Sequence, residues 1–227
     1  MTPPSVGPSP LRLWDLPTRL FHWLLAACVI GAVVTAKAGE IEWHVRLGYA
    51  AGTLLVFRLL WGVIGGWWSR FVHFVPTPAR LWRHLRGTPL PSDPPVGHNP
   101  LGALSVLAML AVLLVQVATG LVSDDEIAFV GPLNRFVPSA LGLEATTWHR
   151  AFGQYLVLAL VGLHLCAIAA YRLVKKQDLV RPMITGDIAR PAGRWPSSND
   201  GWLARVLAAV LLAACAGGMA WLVSLGG

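Results

Sequence analysis

The 227-residue chain is 55% hydrophobic and 13% charged, against roughly 25% charged residues in a soluble domain, and its mean hydropathy of +0.59 excludes an ordinary soluble protein. Eleven Trp and only 11 Asp+Glu also exclude a disordered chain, which needs low hydrophobicity and high charge. The net charge of +7 would suit nucleic acid, but the basic residues cluster in loops between apolar runs, where membrane topology accounts for them, and nucleic acid is discarded as a partner.

A bilayer core of about 30 Å takes about 20 mainly apolar residues per helix. Five runs approach that length, at residues 20–36, 47–65, 101–122, 151–171 and 203–225. The opening MTPPSVGPSP lacks the basic segment and immediate apolar core of a cleavable signal, so the first helix is expected to be retained. Residues 66–100 begin WWSRFVHFVPTPARLWRHLRG. Trp, Phe and Leu alternate there with Arg and His, the pattern of an amphipathic segment lying in the membrane interface, with 89–95 as a turn-rich tether. Asn99-Pro100 reads as the cap and first turn of the third helix.

Lys and Arg concentrate in cytoplasmic loops. Arg70, Arg80, Arg83 and Arg86 lie between the second and third runs, and Arg172, Lys175, Lys176, Arg181, Arg190, Arg194 and Arg205 between the fourth and fifth. The alternate loops hold Lys37 and Arg46, then Arg135 and Arg150, with the acidic run Asp124-Asp125-Glu126 among them. The amino terminus, with Arg12 and Arg19, is thus expected to be cytoplasmic and the carboxyl terminus outside. The acidic run would face a cationic partner such as a c-type cytochrome, or be a solvated loop, which is the reading preferred.

Cys28, Cys166 and Cys215 all fall within apolar runs, which argues against a disulfide framework or a cysteine zinc site. No C-x-x-C-H occurs, so covalent c-type haem attachment is excluded. Of seven His, His164 is deep in the fourth run, and an ionisable group there is a functional hypothesis by default. His149 stands at the outer start of the same helix. Fifteen residues separate the two, or about 22 Å of rise and a net rotation of about 60°, so they cannot share a metal. His22 lies at the depth of His164, and His44 at that of His149. Imidazole pairs from facing helices are a way to hold a bis-His haem in a bundle core. Gly31, Gly48, Gly52, Gly153 and Gly162 would let a flat ring approach the backbone, and Arg19, Arg46, Arg58 and Arg150 lie where propionates would need partners. Each His taken singly could be a packing or interfacial residue, and the arginines snorkelling anchors, a reading that suits Arg58 least. His73 and His84 are read as interfacial. His98 stays open, as a structural residue, a quinone-site donor or a rival ligand for the inner haem, in that order.

The segments LRLWDLPTRLFHW, GHNPLGALSVLAMLAVLLVQVATGL and WHRAFGQYLVLALVGLHLCAIAAYRLVKKQDLVRPMITG resemble the bacterial cytochrome b561 family, which includes the b-type cytochrome subunits of nickel–iron hydrogenases. The resemblance covers about residues 11–186. It is most specific in R-x-x-H-W around His22 and in H-x14-H followed by L-V-x-P-M-I-T-G. It implies an all-α membrane protein, a four-helix bundle holding two haem b groups that relay electrons between the quinone pool and a redox partner. It also implies the ligand set that depth matching gives, His22 with His164 and His44 with His149. The expected organisation is a cytoplasmic segment 1–19, a di-haem transmembrane domain 20–186, and a linker with an extra carboxyl-terminal helix over 187–227.

The chain is therefore read as a multi-pass electron carrier of the bacterial inner membrane, an electron-transfer protein or a quinone-linked oxidoreductase. Its expected partners are lipid, quinone and a c-type cytochrome or hydrogenase, with a second copy of the chain left open. Two alternatives stand beside it, an anchor subunit active only within a larger oxidoreductase and a haem-free small transporter. Reporter insertions check the topology: one after Gly87 is expected to face the cytoplasm and one at the carboxyl terminus the outside.

Overall fold

The structure is a computed structural model and describes residues 10–90, 93–94, 96–127, 129–189 and 195–226. The opening tract 1–9, Arg190 and Arg194 of the second basic loop, and residues 91, 92 and 95 of the tether lie outside the described residues.

Helix α1 (Leu16–Ala38) starts where Asp15 accepts a hydrogen bond from the Thr18 N–H, with Pro17 in the first turn, the position where a missing N–H costs nothing. It ends at Gly39, whose φ of +79° is the left-handed conformation that glycine adopts without strain. Only Gly39 and Glu40 separate it from α2 (Ile41–Ile64), so the two form a tight hairpin. A short turn (Trp67–Ser69), α3 (Phe71–Phe74) and α4 (Pro78–Leu85) follow. Thr77 caps α4, and its exposed Trp82 and Leu85 sit beside Arg83 and Arg86, as expected of an interfacial segment. Helix α5 (Pro100–Val122) begins at the Asn99 cap, which accepts from the Gly102 N–H at 2.8 Å. Helix α6 (Ser139–Thr147), a π-helical turn (Trp148–Gly153) and α7 (Gln154–Leu173) run on as one 35-residue helix. Helix α8 (Val180–Thr185) precedes a two-residue strand, and α9 (Trp202–Ser224) closes the chain.

Among the described residues five helices are long and apolar enough to cross a membrane. Two differ from the hydropathy reading. Helix α2 starts at Ile41 and takes in His44 and Arg46, and the fourth span starts at Ser139, so His149 sits within it and not at its start. Glu42, Arg46 and Glu144 dilute the local hydropathy while the backbone helix continues through them.

Half of the apolar window of α2 is buried, against 6–11% in the other four, which makes α2 the central helix. Leu54, Leu55, Phe57 and Trp61 pack there with Phe21 and Leu25 of α1, Leu110 of α5 and Ala208 of α9. The outward faces keep large apolar residues exposed, such as Val63, Leu163, Leu203 and Trp221, as a hydrocarbon solvent allows. The fifth helix is a full member of this bundle. A Cβ on Gly52 would stand 2.7 Å from Met219 of α9 and 3.0 Å from Val117 of α5, so that glycine lets three helices meet.

One end of the bundle is closed by a polar cap. Strand β1 (Leu11–Arg12) pairs antiparallel with β2 (Asp187–Ile188). The segment before α9 is stitched to it: the Ser198 hydroxyl donates to the Leu13 carbonyl at 2.8 Å and the Trp68 indole to the Pro196 carbonyl at 2.9 Å. Asp200 accepts from the Leu16 N–H and from Arg205, and pairs with Arg12 at 3.3 Å. Burial would raise its carboxyl, but Arg205, the Leu16 N–H and Arg12 together hold it below the usual carboxylate range.

Asp15 is the centre of this cap. It is fully buried and accepts from the Thr18 N–H (2.8 Å), the Trp61 indole (3.1 Å) and the Ser69 hydroxyl (2.6 Å), tying α1, α2 and the loop after α2 together. Removing a buried acceptor leaves its donors unsatisfied. Asp15→Ala is expected to cost about 3 kcal/mol or more, with Asp15→Asn recovering part, read as the fall in thermal denaturation midpoint of the detergent-solubilised protein.

Candidate functional site

The hairpin of α1 and α2 places His22 and His44 at opposite ends of the bundle, and the long fourth helix presents His164 and His149 at the same two levels. The His22 and His164 rings have centroids 6.4 Å apart, and those of His44 and His149 5.8 Å apart. Imidazole nitrogens bind metals at about 2.0–2.1 Å, so two rings on either side of one ion have centroids roughly 6 Å apart. Both separations suit that arrangement. Among the described residues no group of three or more His, Cys, Asp or Glu could hold an ion, so any metal here rests on paired imidazoles.

The His44–His149 pair is oriented by backbone. The Nδ1 of His44 lies 2.8 Å from the Ala32 carbonyl of α1, and that of His149 lies 2.9 Å from the Gln116 carbonyl of α5. A carbonyl can only accept, so both Nδ1 atoms carry the proton and both Nε2 atoms keep the lone pair that ligates a metal. The pair lines a cavity of about 500 Å³ with Gly48, Tyr49, Gln116 and Gly120, within the 300–1,000 Å³ range of cofactor sites. Lys37 and the exposed Arg150 also line it. A Cβ on Gly120 would stand 3.1 Å from the His149 ring.

The His22–His164 pair is held differently. His22 packs edge-on against Trp23, and its buried Nδ1 has no hydrogen-bond partner. Arg58 is 3% exposed, with phenyl rings of Phe71, Phe21 and Phe74 within 6.0 Å of its guanidinium and one Nη1 unpartnered. It is therefore no snorkelling anchor. Arg19 donates to the Ile184 carbonyl and lies 4.0 Å from Asp200. His98 is wedged between Trp14 and Phe74 at 4.8 and 4.7 Å, its Nδ1 unpartnered. Burial, and then the Arg58 cation and His164, push it down to about 3, so it is a neutral ring at physiological pH.

Arg46 pairs with Glu42 and lies over Trp43. His73 stacks on Trp67 at 3.6 Å. Of the five glycines expected to give a flat ring room, Gly31 faces Leu47, Gly52 admits α9 and α5, and Gly153 abuts Gln116, while Gly48 and Gly162 have nothing within 4 Å. Lys37 and Gln116 were not singled out beforehand. Gln116 is the one amide side chain in a span that holds no charged residue, which was the available signal.

Residues 13–186 match the sequence profile of the prokaryotic cytochrome b561 family. The chain belongs to that family. It is 25% identical over 213 residues to a probable Ni/Fe-hydrogenase B-type cytochrome subunit of Azotobacter chroococcum mcd 1, covering 77% of this chain and 86% of the relative. The corresponding protein of Bradyrhizobium diazoefficiens is 24% identical, covering 81% and 87%, and the probable Ni/Fe-hydrogenase 1 B-type cytochrome subunit of Escherichia coli (strain K12) is 21% identical, covering 77% and 88%. No solved structure matches the chain. As a cytochrome b561 it is a multi-pass membrane protein that carries b-type haem and transfers electrons, which sets aside the haem-free transporter. The residues present fit that group: facing imidazoles, open Nε2 atoms, a cavity of cofactor size and buried cations without full partners.

Gly120→Val is expected to push the His149 ring off its carbonyl, a loss of about 1–3 kcal/mol for the orphaned donor, and to lower the b haem that purifies with the protein. Gly217→Ala, with nothing within 4 Å, is expected to leave it unchanged.

Proposed function

We propose that this cytochrome b561 binds two b haems, one between His22 and His164 and one between His44 and His149, and carries electrons across the membrane between quinone and a redox partner. The observation that carries this reading is the pair of facing imidazole couples, 6.4 and 5.8 Å between centroids, separated by about 22 Å along one helix. Haem b bound at such couples supplies a reversible one-electron centre at each level. The protein fixes the tautomer of His44 and His149 through the Ala32 and Gln116 carbonyls, and its apolar helices exclude water. Arg58 and Arg19 on one side, and Arg150 and Lys37 on the other, supply cations for propionates.

The positive-inside bias puts His22 and His164 toward the cytoplasm, with the amino terminus on that side and the carboxyl terminus outside. The names of the relatives favour a hydrogenase as the partner, with this chain as its membrane subunit. A cationic c-type cytochrome is less favoured, because the Asp124 and Asp125 carboxylates accept hydrogen bonds from the N–H groups of Glu126, Ile127 and Phe129 within their own loop.

A pyridine haemochrome assay is expected to give two b haems per chain. His164→Ala or His22→Ala is expected to remove one and His149→Ala or His44→Ala the other, whereas His98→Ala keeps both. One haem in the wild type, or two in His22→Ala, would overturn the assignment.

A further inference from the structure

Gln116 is tied to His149 at both ends of the amino acid. Its carbonyl accepts from the His149 Nδ1–H at 2.9 Å, and its side-chain Nε2 donates to the His149 carbonyl at 2.9 Å. His149 belongs to the π-helical turn Trp148–Gly153, a local distortion that recurs at functional sites. The amide orientation is fixed by the chemistry, since the His149 carbonyl needs a donor. That choice leaves the Gln116 Oε1 buried without a partner, a cost a leucine or methionine would not carry. Gly153, four residues past His149 and so one turn along the same helix, makes room for it: a Cβ there would collide with Oε1. Thr119, one turn along α5, adds its hydroxyl 3.3 Å from the same Nδ1.

We infer that Gln116 is a positioning residue for the outer haem ligand: it locks the backbone of the π turn so that the His149 ring keeps its Nδ1–H on the carbonyl and its Nε2 on the metal. The inference rests on His44 and His149 being a haem pair. A donated Nδ1–H makes the imidazole a more basic ligand and favours the oxidised metal. Loosening the clamp therefore raises the midpoint potential of the outer haem and alters its low-spin electron paramagnetic resonance signal. The inner haem has no part in the clamp.

The experiment is a redox titration of the purified holoprotein, followed by absorbance and paramagnetic resonance, for wild type, Gln116→Met, Gly153→Ala and His149→Ala. Gln116→Met keeps the side-chain volume and removes the donor. Gly153→Ala disturbs the same contact from the other helix. The expected result is two haems in both variants, with the outer potential raised and its signal shifted and the inner unchanged. An outer haem unaltered in both variants, or equal shifts in both haems, overturns the positioning role. Retention of two haems in His149→Ala instead overturns the ligand assignment beneath it.

Discussion

Inside hydrocarbon every polar group has to find its partner in the protein, because no water is present to supply one. A histidine meant to offer Nε2 outward must therefore have its Nδ1–H satisfied by the scaffold, or go without. The His44–His149 pair meets this demand from two different helices, through Ala32 of α1 and Gln116 of α5. Those two carbonyls set which nitrogen of each ring faces the cavity the pair lines. The His22–His164 pair sits closer to the polar cap, where His22 is steered by ring packing against Trp23 and leaves Nδ1 unpartnered.

The central helix translates that local demand into architecture. Because α2 is wrapped by α1, α5 and α9, it is the rigid reference against which the exposed fourth helix is set, and the two sides of each imidazole couple come from structurally unequal partners. One ring stands on the well-packed hairpin. The other stands on a helix whose only buried residue in α7 is Val157, held by contacts with α5. The Asp15 network fixes the start of α1 to α2 and so sets the height of His22.

Much of this was legible from the residues. Apolar run length gave five spans, the Asn99-Pro100 cap began α5 where expected, and matching depths paired the histidines whose ring centroids lie 6.4 and 5.8 Å apart. Arg58 stood out for its depth, and it is buried among phenylalanines. What hydropathy missed were features carried by few residues. A two-residue strand has no periodicity to detect, and Asp15 joins groups 46 and 54 positions away. The start of the fourth span was hidden by Glu144. The glycines were visible, but which neighbour each one admits depends on helix rotation, which one sequence does not set; Gly31, Gly52 and Gly153 pack protein against protein.

The carbonyl anchors have a consequence for how such a site can change over time. Every residue except for its side chain offers the same C=O, so the proton position on His44 does not depend on what stands at position 32, and a substitution there cannot delete the acceptor without moving the helix. The tautomer of His44 is in this sense stored in the path of the backbone and not in the identity of the residue that supplies the carbonyl. A chain can then drift widely in its side chains while the imidazoles keep the same nitrogen free.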